Sequence, residues 1–224
     1  MIKEKKKKEK KFSLSYDNFL DLNLIKEIDA YVAASQNLPR WRNSHFWEKP
    51  IKRSTSPVAI LDIPDEFNTA IQQRLKKIPE ISWREDNPPH RSMYYLYPPG
   101  GYIGWHDDSK YEFASIICLN KVWDPNWGGI HLYEDLKGLG IRGEIPTFNK
   151  GLVHSGGVPH GVSILAPEAP FRRVIITFGS IGPSFPHPKA NEADKKWGEW
   201  KRKRNVGAVC FEGIVHGDPD YKKK

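Results

Sequence analysis

Apolar residues recur along this chain with two different periods. Between residues 93 and 178 they come in short runs, rich in β-branched and aromatic side chains, at 93–97, 102–105, 113–119, 129–133, 151–154, 162–165 and 174–178. Gly, Pro, Asn and Asp separate the runs, as turn residues separate strands. Upstream the spacing lengthens to that of a helix. Leu24, Ile25, Ile28, Tyr31 and Val32 form one stripe and predict a helix over 24–34. Pro64 sits at a favoured first-turn position and opens a second helix, whose stripe is Phe67, Ile71, Leu75 and Ile78 before Pro79 stops it. A stretch with Trp41 and Trp47 lies between the two, and Asn87-Pro88-Pro89 makes a turn ahead of the strand-rich region. Residues 134–144 carry three Gly and read as a loop or ragged hairpin. A Pro-rich exit runs from Pro183 to Pro188, and a last helix is expected over 191–204 with Trp197 and Trp200 on one side.

Many short strands with flanking helices predict a mainly β fold of the jelly-roll type. The expected organisation is a basic arm over 1–11, a supporting segment of helices and strands over 12–90, a β core over 91–182, and a basic tail over 183–224.

Charge sharpens that division. Residues 1–11 hold seven Lys against two Glu, residues 195–204 hold six basic against one acidic, and the sequence ends Lys222-Lys223-Lys224. Together these exceed the formal +8 of the whole, so the remainder is net acidic. Such arms suit nucleic acid or an acidic protein surface, although a run with almost no apolar content also reads as a solvated tail. Two cysteines, Cys118 and Cys210, give no disulfide framework and set the expectation of a reducing, cytoplasmic setting. No run of about 18 apolar residues is present, so no membrane partner is expected.

The chemistry concentrates in the strand-rich region. His106-Asp107-Asp108 is followed by His160 and then by Arg172-Arg173. Two histidines and one carboxylate can hold Fe(II) on one face and leave the other open to substrate and O2. Alternation along a strand places His106 and Asp108 on one side and Asp107 on the other. The third ligand must come from another strand; His160 fits, with His154 the rival, whereas His131 reads as an ordinary strand residue. An arginine opening the last strand can grip a carboxylate with two parallel hydrogen bonds. Arg173 is in phase with Ile175 and Thr177, which favours it over Arg172.

At these residues, and over about 94–180, the chain resembles the Fe(II)- and 2-oxoglutarate-dependent dioxygenases of the prolyl 4-hydroxylase-like branch. The resemblance rests on Tyr-Pro-Pro-Gly-Gly before the first ligand pair, the segment from Cys118 to Trp123 with Gly128-Gly129 after it, and the arginine-led strand at the end. It implies a double-stranded β-helix, with His106, Asp108 and His160 as catalytic iron ligands. Arg173, helped by Thr177, would pair with the far carboxylate of 2-oxoglutarate, and Tyr97 would lie near the co-substrate or the iron-bound water. Fe(II), 2-oxoglutarate and O2 are the implied cofactors, with ascorbate as a reductant. Where some relatives place a tyrosine against 2-oxoglutarate, this chain has Cys118.

The branch implies hydroxylation of a prolyl residue in a peptide or protein, entering past an aromatic mouth of Tyr102, Trp105 and Trp127; packing of the barrel or its rim is the other use for these rings. Two other readings stand beside it. One is a nucleic-acid demethylase clamped by the basic arms, against which the final strand has no second arginine further along. The other is a non-catalytic barrel that binds without turnover.

Overall fold

The structure is a computed structural model, and it describes residues 11–35, 42–43, 58–84, 88–138 and 140–180. The expected basic arm (except Lys11), the Trp-rich stretch at Trp41 and Trp47, the Pro-rich exit and the last helix all lie outside the described residues. Eleven strands and two helices are described. They are β1 (Ser13–Tyr16), α1 (Leu22–Ser35), β2 (Arg42–Asn43), β3 (Ala59–Asp62), α2 (Asp65–Leu75), β4 (Met93–Tyr97), β5 (Ile103–His106), β6 (Phe113–Cys118), β7 (His131–Glu134), β8 (Ile141–Glu144), β9 (Gly151–Ser155), β10 (His160–Val162) and β11 (Arg172–Phe178). A single 3-10 turn, Pro125–Trp127, precedes β7.

Seven strands form a large sheet in the order β1-β9-β6-β11-β4-β3-β2, and four form a smaller one in the order β5-β10-β7-β8. Their pairings are antiparallel throughout. The architecture is the double-stranded β-helix: two sheets face each other around one interior.

The large sheet is buried on both faces. Its outer face carries Leu61, Tyr94, Ile117, Val153 and Ile175, which pack with Ile25, Ile28 and Val32 of α1 and Ile71 and Leu75 of α2. Its inner face carries Ile60, Tyr95, Tyr97, Ile116, Cys118, Leu152, Val174 and Ile176, which meet Ile103 and Val162 of the small sheet. Strict alternation distributes neighbours to opposite sides, so one strand serves two cores.

The helices start by different means. The Asp21 carboxylate accepts from the backbone N–H of Asn23 (2.8 Å) and Leu24 (3.3 Å) and caps α1. Pro64 stands just before α2 rather than in its first turn, with no side-chain cap; Asp65 and Glu66 follow it, where the helix dipole favours acids. The expected loop or ragged hairpin is the pairing of β7 with β8, with positive φ at Gly138 and Gly140 between them. Strands were expected over 12–90 without being located; β1 and β3 lie there and join the large sheet, β1 beside β9 and β3 beside β4. No helix among the described residues is long and apolar enough to cross a membrane.

Candidate active site

His106 ends β5 and His160 begins β10, and the two are direct partners across that antiparallel pair. Their rings stand 4.2 Å apart, centroid to centroid. Asp108 completes the group: its Oδ2 lies 3.7 Å from His106 Nε2 and 3.4 Å from His160 Nε2. One ligand atom from each of the three falls within 4.8 Å of the others.

The route by which Asp108 arrives differs from simple alternation. It lies beyond the end of β5 with φ 47°, in the left-handed region that Asp tolerates better than most residues. The chain turns there, with Tyr111 N–H donating to the Asp108 carbonyl (2.9 Å). The turn packs against 155–157. A Cβ on Gly156 would stand 1.8 Å from the Tyr111 carbonyl oxygen, so only glycine permits the approach. Asp107 points away and accepts from Ser109 N–H.

Backbone carbonyls fix both imidazoles. His106 Nδ1 lies 2.8 Å from the Gly104 carbonyl, and His160 Nδ1 lies 2.8 Å from the Val158 carbonyl. A carbonyl only accepts, so each Nδ1 carries the hydrogen and each Nε2 presents a lone pair. This is the outer-shell arrangement by which metal-binding histidines are oriented. Burial, followed by the neighbouring His160, lowers the His106 pKa. Burial raises the Asp108 carboxyl, but the imidazoles and Lys110 around it outweigh burial and leave it below its ordinary value. Two imidazoles and a carboxylate make a donor set suited to a divalent transition metal.

The two arginines of β11 take the opposite faces from those expected. Arg173 and Thr177 turn outward, away from the metal site. Arg173 bonds to the Tyr94 hydroxyl and the Asp29 carboxylate of α1, while its backbone N–H donates to Asn120. Thr177 shares a 2.7 Å hydrogen bond with Ser92. The phase argument fails because both faces of β11 are buried, so alternation alone does not tell inside from outside. Arg172 is the inward residue, only 1% exposed. Its guanidinium lies 5.7 Å from the Tyr97 ring centroid, and its Nε and Nη2 have no partner among the described residues. The Tyr97 hydroxyl is buried and unpartnered too. Burial pushes the Tyr97 phenol up; Arg172 opposes that shift and Asp108 adds to it, which ties arginine, phenol and carboxylate to one interior. Leaving a buried cation unpaired costs several kcal/mol, so this interior is built for an anion. Cys118 faces the same interior, fully buried.

The aromatic mouth divides. Trp105 neighbours His106 and is 48% exposed, and Tyr102 is half-buried. Trp127 belongs elsewhere: it packs edge-on against Trp123, beside the Gly128–Leu165 bridge. That bridge lies five residues along from His160, roughly 15 Å at strand spacing. At the metal end the structure instead brings Tyr111 against Phe178, stacked with centroids 4.7 Å apart. No sequence pattern marked Tyr111, which reaches the rim only through the turn after Asp108. His154 is not a third ligand; it bonds to His131 and Ser13.

No protein-family model matches the chain, and no curated protein sequence matches it. Solved structures do. A prolyl-4-hydroxylase of Pseudomonas putida superposes with a TM-score of 0.58 at 18% identity, covering 76% of this chain and 92% of its own. A 2OG-Fe(II) oxygenase family oxidoreductase of Burkholderia pseudomallei gives 0.56 at 17%, covering 75% and 84%. A Trichoplax adhaerens prolyl hydroxylase, in complex with a peptide fragment of the hypoxia inducible factor oxygen degradation domain, gives 0.57 at 17%, covering 75% and 83%. Fold and site together define a double-stranded β-helix with a two-histidine, one-carboxylate centre. The fold is the one shared by these 2OG-Fe(II) oxygenases and prolyl hydroxylases.

Proposed function

We propose that the protein is an Fe(II)- and 2-oxoglutarate-dependent dioxygenase that hydroxylates a prolyl residue in a peptide or protein. One observation carries the reading: a triad with both Nε2 atoms presented shares its interior with a buried arginine whose Nε and Nη2 have no partner among the described residues. His106, Asp108 and His160 would hold the iron. Arg172, with Tyr97, would take the far carboxylate of 2-oxoglutarate, the role that sequence alone gave to Arg173. The chemistry supplied by bound iron and 2-oxoglutarate is O2-dependent oxidation of a C–H bond, with the 2-oxo acid leaving as succinate and CO2.

The chain's own part is positioning and exclusion of water. The Gly104 and Val158 carbonyls hold both rings in the metal-binding tautomer. Arg172 would orient the co-substrate from the buried interior it shares with Tyr97. Asp108 would be the carboxylate ligand of the metal; with that place taken by protein rather than by a halide, hydroxyl transfer is favoured. The prolyl choice is supported by the two prolyl hydroxylases among the similar structures and by aromatic rings near the triad, Trp105 beside His106 and Tyr111 stacked on Phe178.

The test has two stages. Anaerobic titration of the Fe(II)-loaded protein with 2-oxoglutarate should give a saturable visible charge-transfer band, lost in Arg172→Ala. Pro-rich peptides and methylated single-stranded oligonucleotides are then compared by mass spectrometry. A gain of one oxygen on the peptide is expected. Demethylation of the oligonucleotide with no change in the peptide would replace the prolyl reading with the nucleic-acid one.

A further inference from the structure

Four buried polar atoms without a partner among the described residues belong to side chains that face the barrel interior: Tyr97 OH, Arg172 Nε, Arg172 Nη2 and His131 Nδ1. The proposed co-substrate accounts for the first three. His131 is the one left over. It is fully buried on β7, opposite Val162 of β10, and it is not one of the three convergent ligands.

His131 is not held as a core histidine usually is. Its Nε2 lies 2.8 Å from His154 Nε2, and His154 Nδ1 lies 2.8 Å from Ser13 Oγ of β1. Both rings are neutral: burial holds His131 well below its ordinary pKa and lowers His154 to about 3. A neutral imidazole carries one hydrogen, so the pair has two self-consistent arrangements. In one, Ser13 donates to His154 Nδ1, His154 Nε2–H donates to His131 Nε2, and the His131 hydrogen sits on Nδ1. In the other every hydrogen runs the opposite way, and His131 Nδ1 is a bare acceptor.

The bound anion decides between them. Arg172 lies beside the segment that leads into β7: a Cβ on Gly129 would stand 3.3 Å from Arg172 Cδ, and the Arg172 charge bears on His131. The His131 ring also stands 5.5 Å from the His160 ring, centroid to centroid. A carboxylate drawn to Arg172 in this interior meets His131 Nδ1 favourably only when that nitrogen carries the hydrogen.

We infer that His131, held in the Nδ1–H tautomer by His154 and Ser13, is a second and uncharged donor to the far carboxylate of the co-substrate beside Arg172. The site thereby selects a dicarboxylic 2-oxo acid over a monocarboxylic one. This inference rests on the 2-oxoglutarate reading above and assigns a further residue to it.

The experiment uses the full chain, loaded with Mn(II) without O2, and two probes. 2-Oxoglutarate has the far carboxylate; pyruvate keeps the 2-oxo acid end and lacks it. Removing a hydrogen bond to a charged group costs about 1.5–3 kcal/mol, so His131→Leu should bind 2-oxoglutarate roughly 10- to 100-fold more weakly. Mn(II) and pyruvate should bind as in wild type, and His131→Gln, which restores an N–H, should recover most of the loss. Equal 2-oxoglutarate affinity in His131→Leu and wild type overturns the inference alone. Parallel loss of Mn(II), pyruvate and 2-oxoglutarate overturns it as well, by making His131 a structural residue. A wild-type protein that binds Mn(II) but no 2-oxoglutarate overturns both the inference and the functional reading beneath it. Nitrogen-15 NMR of the Zn(II)- and 2-oxoglutarate-loaded wild type gives the answer without a variant: the expected signal is a protonated His131 Nδ1, and the opposite tautomer refutes the assignment.

Discussion

Arg172 and Arg173 are adjacent in sequence, belong to one strand and differ in almost everything else. Arg173 faces the helices, where Asp29 and Tyr94 satisfy it within the chain. Arg172 faces the barrel, where its Nε and Nη2 find nothing among the described residues. A strand alternates its side chains, so one step along the backbone separates a completed ion pair from an incomplete one. The outer face of the large sheet holds the fold together with bonds already made. The inner face keeps bonds in reserve, and that incompleteness is what marks it as a site.

The widest gap between the two faces is expected at the metal. Asp108→Ala should weaken Fe(II) by more than the 10- to 100-fold that loss of an outer-shell partner costs and should bring turnover below detection, while the melting temperature barely moves. Metal titration followed by a product assay checks both. Next comes the arginine pair. Arg172→Ala should weaken 2-oxoglutarate by roughly 2–5 kcal/mol, because a buried carboxylate loses its charged partner. Arg173→Ala should leave that affinity near wild type and lower folding stability by about 1–3 kcal/mol, through loss of the bonds from Arg173 to Asp29 and Tyr94. Calorimetry with 2-oxoglutarate, set beside denaturant unfolding, separates the two; an exchange of the two phenotypes would reverse the assignment of faces. Gly156→Ala crosses the divide. Its methyl group meets the Tyr111 carbonyl, so it should cost about 1–3 kcal/mol of stability by overpacking and weaken Fe(II) as well by shifting Asp108. Thr177→Val gives the smallest effect. It should cost about 1 kcal/mol for the lost bond to Ser92 and leave 2-oxoglutarate binding unchanged.

Much of this was legible in the sequence because much of it depends on periodicity. The runs at 93–97, 113–119 and 151–154 coincide with β4, β6 and β9 to within a residue, since buried strands need continuous apolar content. The triad was legible because two histidines and a carboxylate fell in order. What stayed hidden depends on three-dimensional context. β1 is a four-residue edge strand whose identity comes from pairing with β9. The choice between Arg172 and Arg173 turns on which face of a doubly buried strand meets the other sheet, and a period of two is silent on that. Asp108 was selected through strand alternation, yet it is delivered by a left-handed turn. The His131–His154 pair joins residues 23 positions apart, and nothing local announces it.

The left-handed turn at Asp108 also makes this position unusually easy to re-engineer. Glycine adopts a φ of 47° without steric cost, so Asp108→Gly would keep the loop while removing its carboxylate. The metal would then be left with two imidazoles and an extra vacant coordination position, open to an added anion such as chloride, azide or formate. The backbone conformation that completes the natural ligand set therefore also tolerates its removal, and a designer seeking a new group-transfer chemistry in this barrel would begin at residue 108.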